Sequence, residues 1–220
     1  DEDVRPQIDA IWSKAYNTIA SANSVLDNIS GHDFAILPRI RGEALTVRAF
    51  LHFDLLRLFA PNIERGDEQA IPYVEHFSIS PVERSTVREV YERIVADLTE
   101  AYGLLRDAQP ASGRTPEELY VSQYAAAALL ARVCNWGGDH ETAELYALEA
   151  LKGPFAFIRE EQIKNLFLGY TARTECIWGL HAPDMYLDVR SRLYPTRLTD
   201  ELDMVRDNYQ TIFRVSSFTS

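Results

Sequence analysis

The sequence predicts a mainly α fold, and three observations lead to this prediction. Apolar residues recur at intervals of three and four over long stretches of the 220-residue chain, as they do on the buried face of a helix. Helix start signals separate these stretches, and Thr86 and Glu89 have the spacing of a capping box. Small residues are concentrated around Gly138, where two helices would cross closely. We therefore expect antiparallel helix pairs with only minor extended segments.

Five helices are predicted in chain order. Their approximate bounds are 8–29, 38–59, 87–105, 116–137 and 140–152. Gly31 ends the first helix, and Thr115 is the expected cap of the fourth. Prolines interrupt residues 60–85, where 70–74 is predicted to be a short extended piece, as is 176–180. Residues from 182 onward show no clear period.

The charge of the chain excludes several classes of partner. Lys and Arg number 22 and Asp and Glu number 33, which gives a net charge of −11. A nucleic acid or a polybasic membrane contact would select the opposite sign. Neutral ligands such as sugars are compatible with an acidic surface. No apolar run approaches the ~20 residues of a membrane span. The first residues, Asp-Glu-Asp-Val, are not a signal peptide, so we expect a fragment of a longer protein.

The predicted second helix is apolar around its whole circumference, which is typical of a buried helix. Its charged residues Glu43, Asp54 and Arg57 fall in one narrow sector. Buried charges must be paired or hydrogen-bonded, so we expect an ion-pair network that fixes helices together, with a polar site as the alternative. On the third helix, Asp97 belongs to a charged face that is expected to be solvated.

The region 122–152 is predicted to form a tetratricopeptide-like hairpin. The small residues of that motif stand at Ala131, Gly138, Ala143, Ala147 and Ala150. The two cysteines form no CxxC or zinc pattern, and two buried free thiols are expected. No phosphate-binding loop, nucleophile elbow, metalloprotease or calcium motif is found in the sequence. We therefore expect no catalysis, no metal and no cofactor.

Several ordered motifs resemble the SusD/RagB family of outer-membrane glycan-binding lipoproteins of Bacteroidetes. The matching segments are WSKAYNTIASANSVLDNI from Trp12, GEALTVRAFLHFDLLRLF from Gly42, STVREVYERIVADLTEAYGLL from Ser85, the Ala-rich pair 124–151, and ECIW from Glu175. Together they cover about residues 12–178.

This resemblance implies a fold, a function and a location. The fold would be a SusD-like α-α superhelix in one domain over 1–220, with a helical scaffold at about 5–152 and a less regular part at 153–220. The protein would bind a neutral oligosaccharide at the cell surface and deliver it to a SusC-like TonB-dependent transporter. Attachment to the outer membrane would be through a lipid anchor that this chain does not contain. Glu43, Arg48, Asp54 and Arg57 would be scaffold residues rather than ligand contacts.

Two further functions remain open from the residues alone. One is a tetratricopeptide-like scaffold that binds only proteins; the other, weaker, is a hydrolase with two facing carboxylates. Sugar binding would use aromatic rings outside the helical stripes. These candidates are Tyr73, Phe77, Tyr170, Tyr186, Tyr194 and Tyr209. Tyr186 and Tyr194 are preferred because Asp188, Arg190 and Arg192 lie between them, so Tyr186, Tyr194, Asp188 and Arg190 form the predicted ligand site.

Overall fold

A computed structural model describes residues 4–108, 119–159 and 175–180 of the chain. Within these ranges it contains five α-helices and a 3₁₀ turn at Ile63–Arg65. The helices are α1 Arg5–Ile29, α2 Leu37–Phe59, α3 Val87–Asp107, α4 Gln123–Gly137 and α5 His140–Ala150. The described residues contain no β-strand, and the prediction of a mainly α fold is confirmed.

Each helix packs against the next one in an antiparallel arrangement. In the first pair, Trp12 contacts Phe59 near one end, and Asn23 bonds Arg48 nearer the other. In the second pair, Arg41 reaches Glu100 and Arg48 reaches Asp97. The main core lies between these helices and includes Ile19, Phe53, Leu56, Ile94, Leu98 and Leu130. The second helix is buried along most of its length, as its apolar circumference predicted.

The helix boundaries follow local chemistry. Thr86 and Glu89 form the predicted capping box: the Glu89 amide donates to the Thr86 hydroxyl, and the Thr86 amide donates to the Glu89 carboxylate. The described start of α4 differs from the prediction, because Ser122 is its N-cap. The predicted cap Thr115 lies outside the described residues.

The predicted tetratricopeptide-like hairpin corresponds to α4 and α5. Gly138 has φ +83°, a left-handed conformation that glycine adopts without a steric penalty. The Asp139 side chain then caps α5 by accepting from the Thr142 amide. At Gly137 an added Cβ would overlap the ring of Tyr91, so this position allows α3 and α4 to approach closely.

Residues 70–77, between α2 and α3, form a crossing segment that bonds to α1, α2 and α3 without being a strand. Just before this segment, Gln69 pairs with Thr86, the residue before α3, through an isolated antiparallel bridge. Ala70, Ile71 and Tyr73 are buried, so the first part of this segment belongs to the core. Neither 70–74 nor 176–180 forms a strand. The Ala70 amide donates to the Ser85 carbonyl and the Ser85 amide to the Ile71 carbonyl, so the first predicted segment is paired only at its start, and residues 177–178 form a bend.

The chain divides into two compact units, 1–179 and 180–220. The helices above belong to the first unit; of the second, only Leu180 is among the described residues. The expectation of a single domain over 1–220 stays a prediction. None of the described helices combines the length and the apolar character required to cross a bilayer.

Candidate functional site

The predicted ligand residues Tyr186, Tyr194, Asp188 and Arg190 lie outside the described residues. They stay a prediction, as do Tyr170 and Tyr209 among the other aromatic candidates. The two remaining candidates, Tyr73 and Phe77, are described. They lie four residues apart on the segment that crosses the helices, and their environments are opposite.

The interior polar network of the first unit is centred on Arg48. Its guanidinium donates from Nε to Asp97 Oδ2 over 2.6 Å and from Nη2 to Oδ1 over 2.7 Å. Nη1 donates to Asn23 Oδ1 at 3.0 Å and to the Glu75 carbonyl at 2.9 Å. One buried side chain therefore connects α1, α2, α3 and the crossing segment. Bidentate pairing of this kind is the strong form of a charge-assisted hydrogen bond.

Two predictions about this region were wrong. Asp97, expected on a solvated face, is only 8% exposed. Tyr73, a candidate sugar platform, is fully buried and donates its hydroxyl proton to Asp97 Oδ2 over 2.6 Å. Burial raises the pKa of Tyr73, and the Asp97 carboxylate raises it further, so the phenol stays protonated. Tyr73 is a structural residue.

His52 completes the network as a neutral imidazole. Its Nδ1 donates to the Arg48 carbonyl at 2.9 Å, and its Nε2 accepts from the Val74 amide at 3.1 Å. Its ring stacks on Tyr73 with centroids 4.0 Å apart. Burial lowers the pKa of His52 to about 3, because the charged form would lose its hydration. The ring therefore holds the segment at Val74 without carrying a charge.

The other charged residues of α2 that were predicted to be buried, Glu43, Asp54 and Arg57, are partly exposed. Asp54 pairs with Arg57, and 33% and 34% of these two side chains are exposed. Arg57 also lies over the ring of Phe53, 4.9 Å from its centroid. Glu43 pairs with Arg39 one turn away, and both side chains are partly buried. The prediction of a buried network was therefore wrong for Arg57, and the buried arginine of this helix is Arg48.

The crossing segment returns to the surface beside the C-terminal part of α1. His76 Nδ1 donates to Asp27 Oδ1 over 2.9 Å, and the Phe77 amide donates to Asp27 Oδ2 over 2.8 Å. These two bonds lower the pKa of Asp27, which stays ionised at neutral pH. The Phe77 ring is 58% exposed. Phe77 is therefore the described aromatic candidate that solvent can reach.

The polar groups of the Arg48 network have a structural role. Each polar side chain of the interior network is buried and hydrogen-bonded to a partner inside the protein, so the network is not open to a substrate. Among the described residues, no three His, Cys, Asp or Glu side chains are grouped as they would be around a metal ion. Cys134 is buried, Cys176 is partly buried, and both are free thiols.

Comparison with known proteins gives a consistent result. The profile of a SusD-like family described as "Starch-binding associating with outer membrane" matches residues 2–134. A SusD-like protein P2 of Formosa agariphila is 31% identical over 170 residues, which are 73% of this chain and 30% of that protein.

The fold is shared with crystal structures of the same superfamily. A SusD superfamily protein of Bacteroides thetaiotaomicron superposes with a TM-score of 0.68 at 27% identity, covering 79% of this chain and 39% of the other. A SusD-like carbohydrate-binding protein of Bacteroides vulgatus gives a TM-score of 0.65 at 26% identity, with 77% and 36% covered. A laminarin-binding SusD-like protein has the same fold, with a TM-score of 0.54 at 24% identity over 69% of this chain and 31% of the other.

The chain spans under a third of its curated relative and about two fifths of the first of these crystal structures. The resemblance noted in the motifs of α1, α2 and α3 is confirmed by the profile, the relative and the fold. This chain belongs to the SusD-like family.

Proposed function

We propose that this chain is the helical part of a cell-surface protein that binds a neutral oligosaccharide and delivers it to a TonB-dependent outer-membrane transporter. The observation that carries the proposal is the family match over residues 2–134. The fold supports it, because the Arg48 network makes a rigid helical support on which exposed rings and loops can be held. The net charge of −11 favours a neutral ligand over a polyanion.

Binding without turnover is part of this proposal. Catalysis would need a nucleophile or an acid–base pair beside a bound substrate. Within the described ranges, the interior titratable groups are occupied by structural partners, as the Asp97 carboxylate is by Arg48 and Tyr73. We expect the protein to release no reducing sugar from a glycan that it binds.

Calorimetry against a panel of glycans tests the binding step. The panel contains amylopectin and maltooligosaccharides, because of the family description, and laminarin, because one protein of the same fold is named for it. Saturable binding of one neutral glycan, with no new reducing ends after overnight incubation, is the expected result. Failure of every glycan in the panel to bind contradicts the proposal.

Delivery is tested in the bacterium that produces the full-length protein. Deletion of its gene should slow the uptake of the bound oligosaccharide, and detergent extraction should co-purify a TonB-dependent transporter with the tagged protein. Normal uptake in the deletion strain, with no transporter retained, would contradict delivery while leaving glycan binding standing.

A protein-binding scaffold is a second candidate, and one observation favours it. The outer face of α5 exposes Leu145, Leu148 and Leu151, spaced so that they form one apolar stripe. Leu148→Glu separates the two functions. Under the first proposal the variant binds the glycan like the parent protein, whereas a scaffold would lose its protein partner and bind no glycan in either form.

A further inference from the structure

The region at the C-terminal end of α1 contains exposed aromatic side chains, the ionised Asp27 carboxylate and a backbone that is held by hydrogen bonds from the interior. This combination is not used by the interior network.

The backbone leading to Phe77 is held by the buried side chains of His52, Asn23 and Arg48 and, at Phe77 itself, by the exposed Asp27. Val74 donates its amide proton to His52 and accepts from the Asn23 amide over 2.8 Å. The Glu75 carbonyl accepts from Arg48, and the Phe77 amide donates to Asp27. A ring carried by such a backbone loses little further freedom when it binds a ligand, which favours affinity.

A second pair of rings lies at the same end of the helix. His32 and Phe34 stack with centroids 6.2 Å apart and planes inclined by 21°, and Phe34 is 63% exposed. The His32 amide donates to the Ile29 carbonyl, which keeps the turn after α1 closed. With this bond in place, the Cα atoms of Asp27 and His32 lie within about 13 Å of each other.

The polar groups next to these rings, Asp27 and His76, can form further hydrogen bonds. The Asp27 carboxylate accepts two bonds, from His76 and Phe77, and two carboxylate oxygens offer about four lone-pair sites. The His76 side chain is 82% exposed, and its Nε2 has no partner among the described residues. Both groups can therefore bond a hydroxyl while they keep their present contacts.

We propose that Phe77, Asp27, His76 and the His32–Phe34 ring pair form a carbohydrate-binding subsite at the end of α1. The apolar face of a sugar ring stacks on an aromatic face, and sugar hydroxyls bond carboxylate and imidazole groups. Because the rings stand on two separate segments, the ligand is an oligosaccharide. Asp27 and Asp33, which stands between His32 and Phe34 in the sequence, disfavour a polyanion, so the oligosaccharide is neutral. This inference rests on the proposed function.

The test compares variants of two exposed phenylalanines in the 220-residue chain. Phe77→Ala removes a ring of the subsite, and Phe157→Ala removes an 85% exposed ring elsewhere as the matched control. Phe77→Leu keeps an apolar side chain but not the flat face. The probes are laminarin and maltooligosaccharides, measured by calorimetry, with thermal melting to show that each variant is folded.

We expect Phe77→Ala and Phe77→Leu to weaken binding about three- to tenfold, and Phe157→Ala to leave it unchanged. Phe34→Ala should give a loss of the same order. If the parent binds a probe and neither Phe77 variant nor Phe34→Ala changes its affinity, the subsite is refuted while the proposed function stands. If the parent binds no glycan of the panel, the proposed function and the subsite both fail.

Discussion

Replacing Asp97 by asparagine removes the charge that balances the buried Arg48. The change keeps the size of the side chain but replaces one acceptor oxygen by an amide that donates. Asp97 now accepts two bonds from Arg48 and one from Tyr73, each between 2.6 and 2.7 Å long. An asparagine can satisfy at most part of this set, since its NH₂ group would face the guanidinium. The variant therefore leaves a buried cation without its counter-ion.

The cost follows from this geometry. Removing one partner of a buried ion pair destabilises a protein by about 3–5 kcal/mol, because the remaining charge is left desolvated. For a folded unit of this size, each kcal/mol lowers the melting temperature by roughly 2–4 °C. We therefore expect Asp97→Asn to melt about 6–20 °C below the parent.

Thermal unfolding followed by circular dichroism measures the effect, and Glu100→Gln is the matched control on the same helix. Glu100 pairs with Arg41 at the surface, where 45% and 40% of the two side chains are exposed. Such a pair contributes about 1 kcal/mol or less. Asp97→Asn and Glu100→Gln with equal melting temperatures would refute the reasoning. In the double variant Arg48→Met with Asp97→Leu, part of the loss should be recovered, because the buried charges are removed together.

Four further predictions concern other parts of the helical unit. Arg57→Ala should cost about 1 kcal/mol or less in urea unfolding, since about a third of its side chain is exposed and its ion pair is screened. Stability should fall by about 2 kcal/mol between pH 6.5 and pH 5 because of His52, as urea titrations at the two pH values would show. Gly137→Ala should destabilise by about 1–3 kcal/mol because its Cβ would overlap the Tyr91 ring. Gly103→Ala, in a helix position with open space, should stabilise by about 0.5–1 kcal/mol.

The sign of the pH effect follows from proton uptake. The pKa of His52 is lowered to about 3 in the folded protein, whereas an unfolded histidine titrates near its ordinary value of 6.5. Between these values the unfolded chain binds more protons, so stability is lost as the pH falls from 6.5 toward 3. The carboxylates with lowered pKa values titrate only at lower pH, so they add little above pH 5. A pH dependence unchanged by His52→Gln, with His140→Gln as the exposed control, would contradict the assignment.

Helix existence and helix ends were predictable because their causes are local. The capping box at Thr86 and the left-handed glycine at Gly138 act within one turn of chain. Spacing of apolar residues was sufficient to identify the buried second helix. The start of α4 after its N-cap Ser122 was not predicted. Upstream, Thr115 followed by Pro116 gave a second helix start signal of equal quality.

The interior network was not predictable from the same patterns. Asp97 stands among charged residues on its helix, and only the approach of α2 turns it into a buried partner of Arg48. Arg57 was predicted to be buried because only the charged residues of its own helix were considered, and not those on the helix that packs against it. The burial of His52 and Asn23 was predictable in principle, since each is a polar residue on an apolar face of its helix. The predicted ligand residues near Tyr186 carry no helical period, and the sequence offers no geometric constraint on them.

The hydrogen bond from the Val74 amide to His52 also affects how readily residues 70–77 open to solvent. Residues 70–77 have no helix or strand, so their amides would ordinarily exchange with deuterium as quickly as those of a loop. Here the Val74 amide proton is held by the buried His52 ring, and the side chains of Asn23 and Arg48 donate to the carbonyls of Val74 and Glu75. Releasing that proton breaks an interior bond to α2, next to the bonds that join the same segment to Asn23 of α1 and Arg48 of α2. The crossing segment should therefore exchange as one cooperative unit with the helices, while residues 78–82 beyond it exchange quickly.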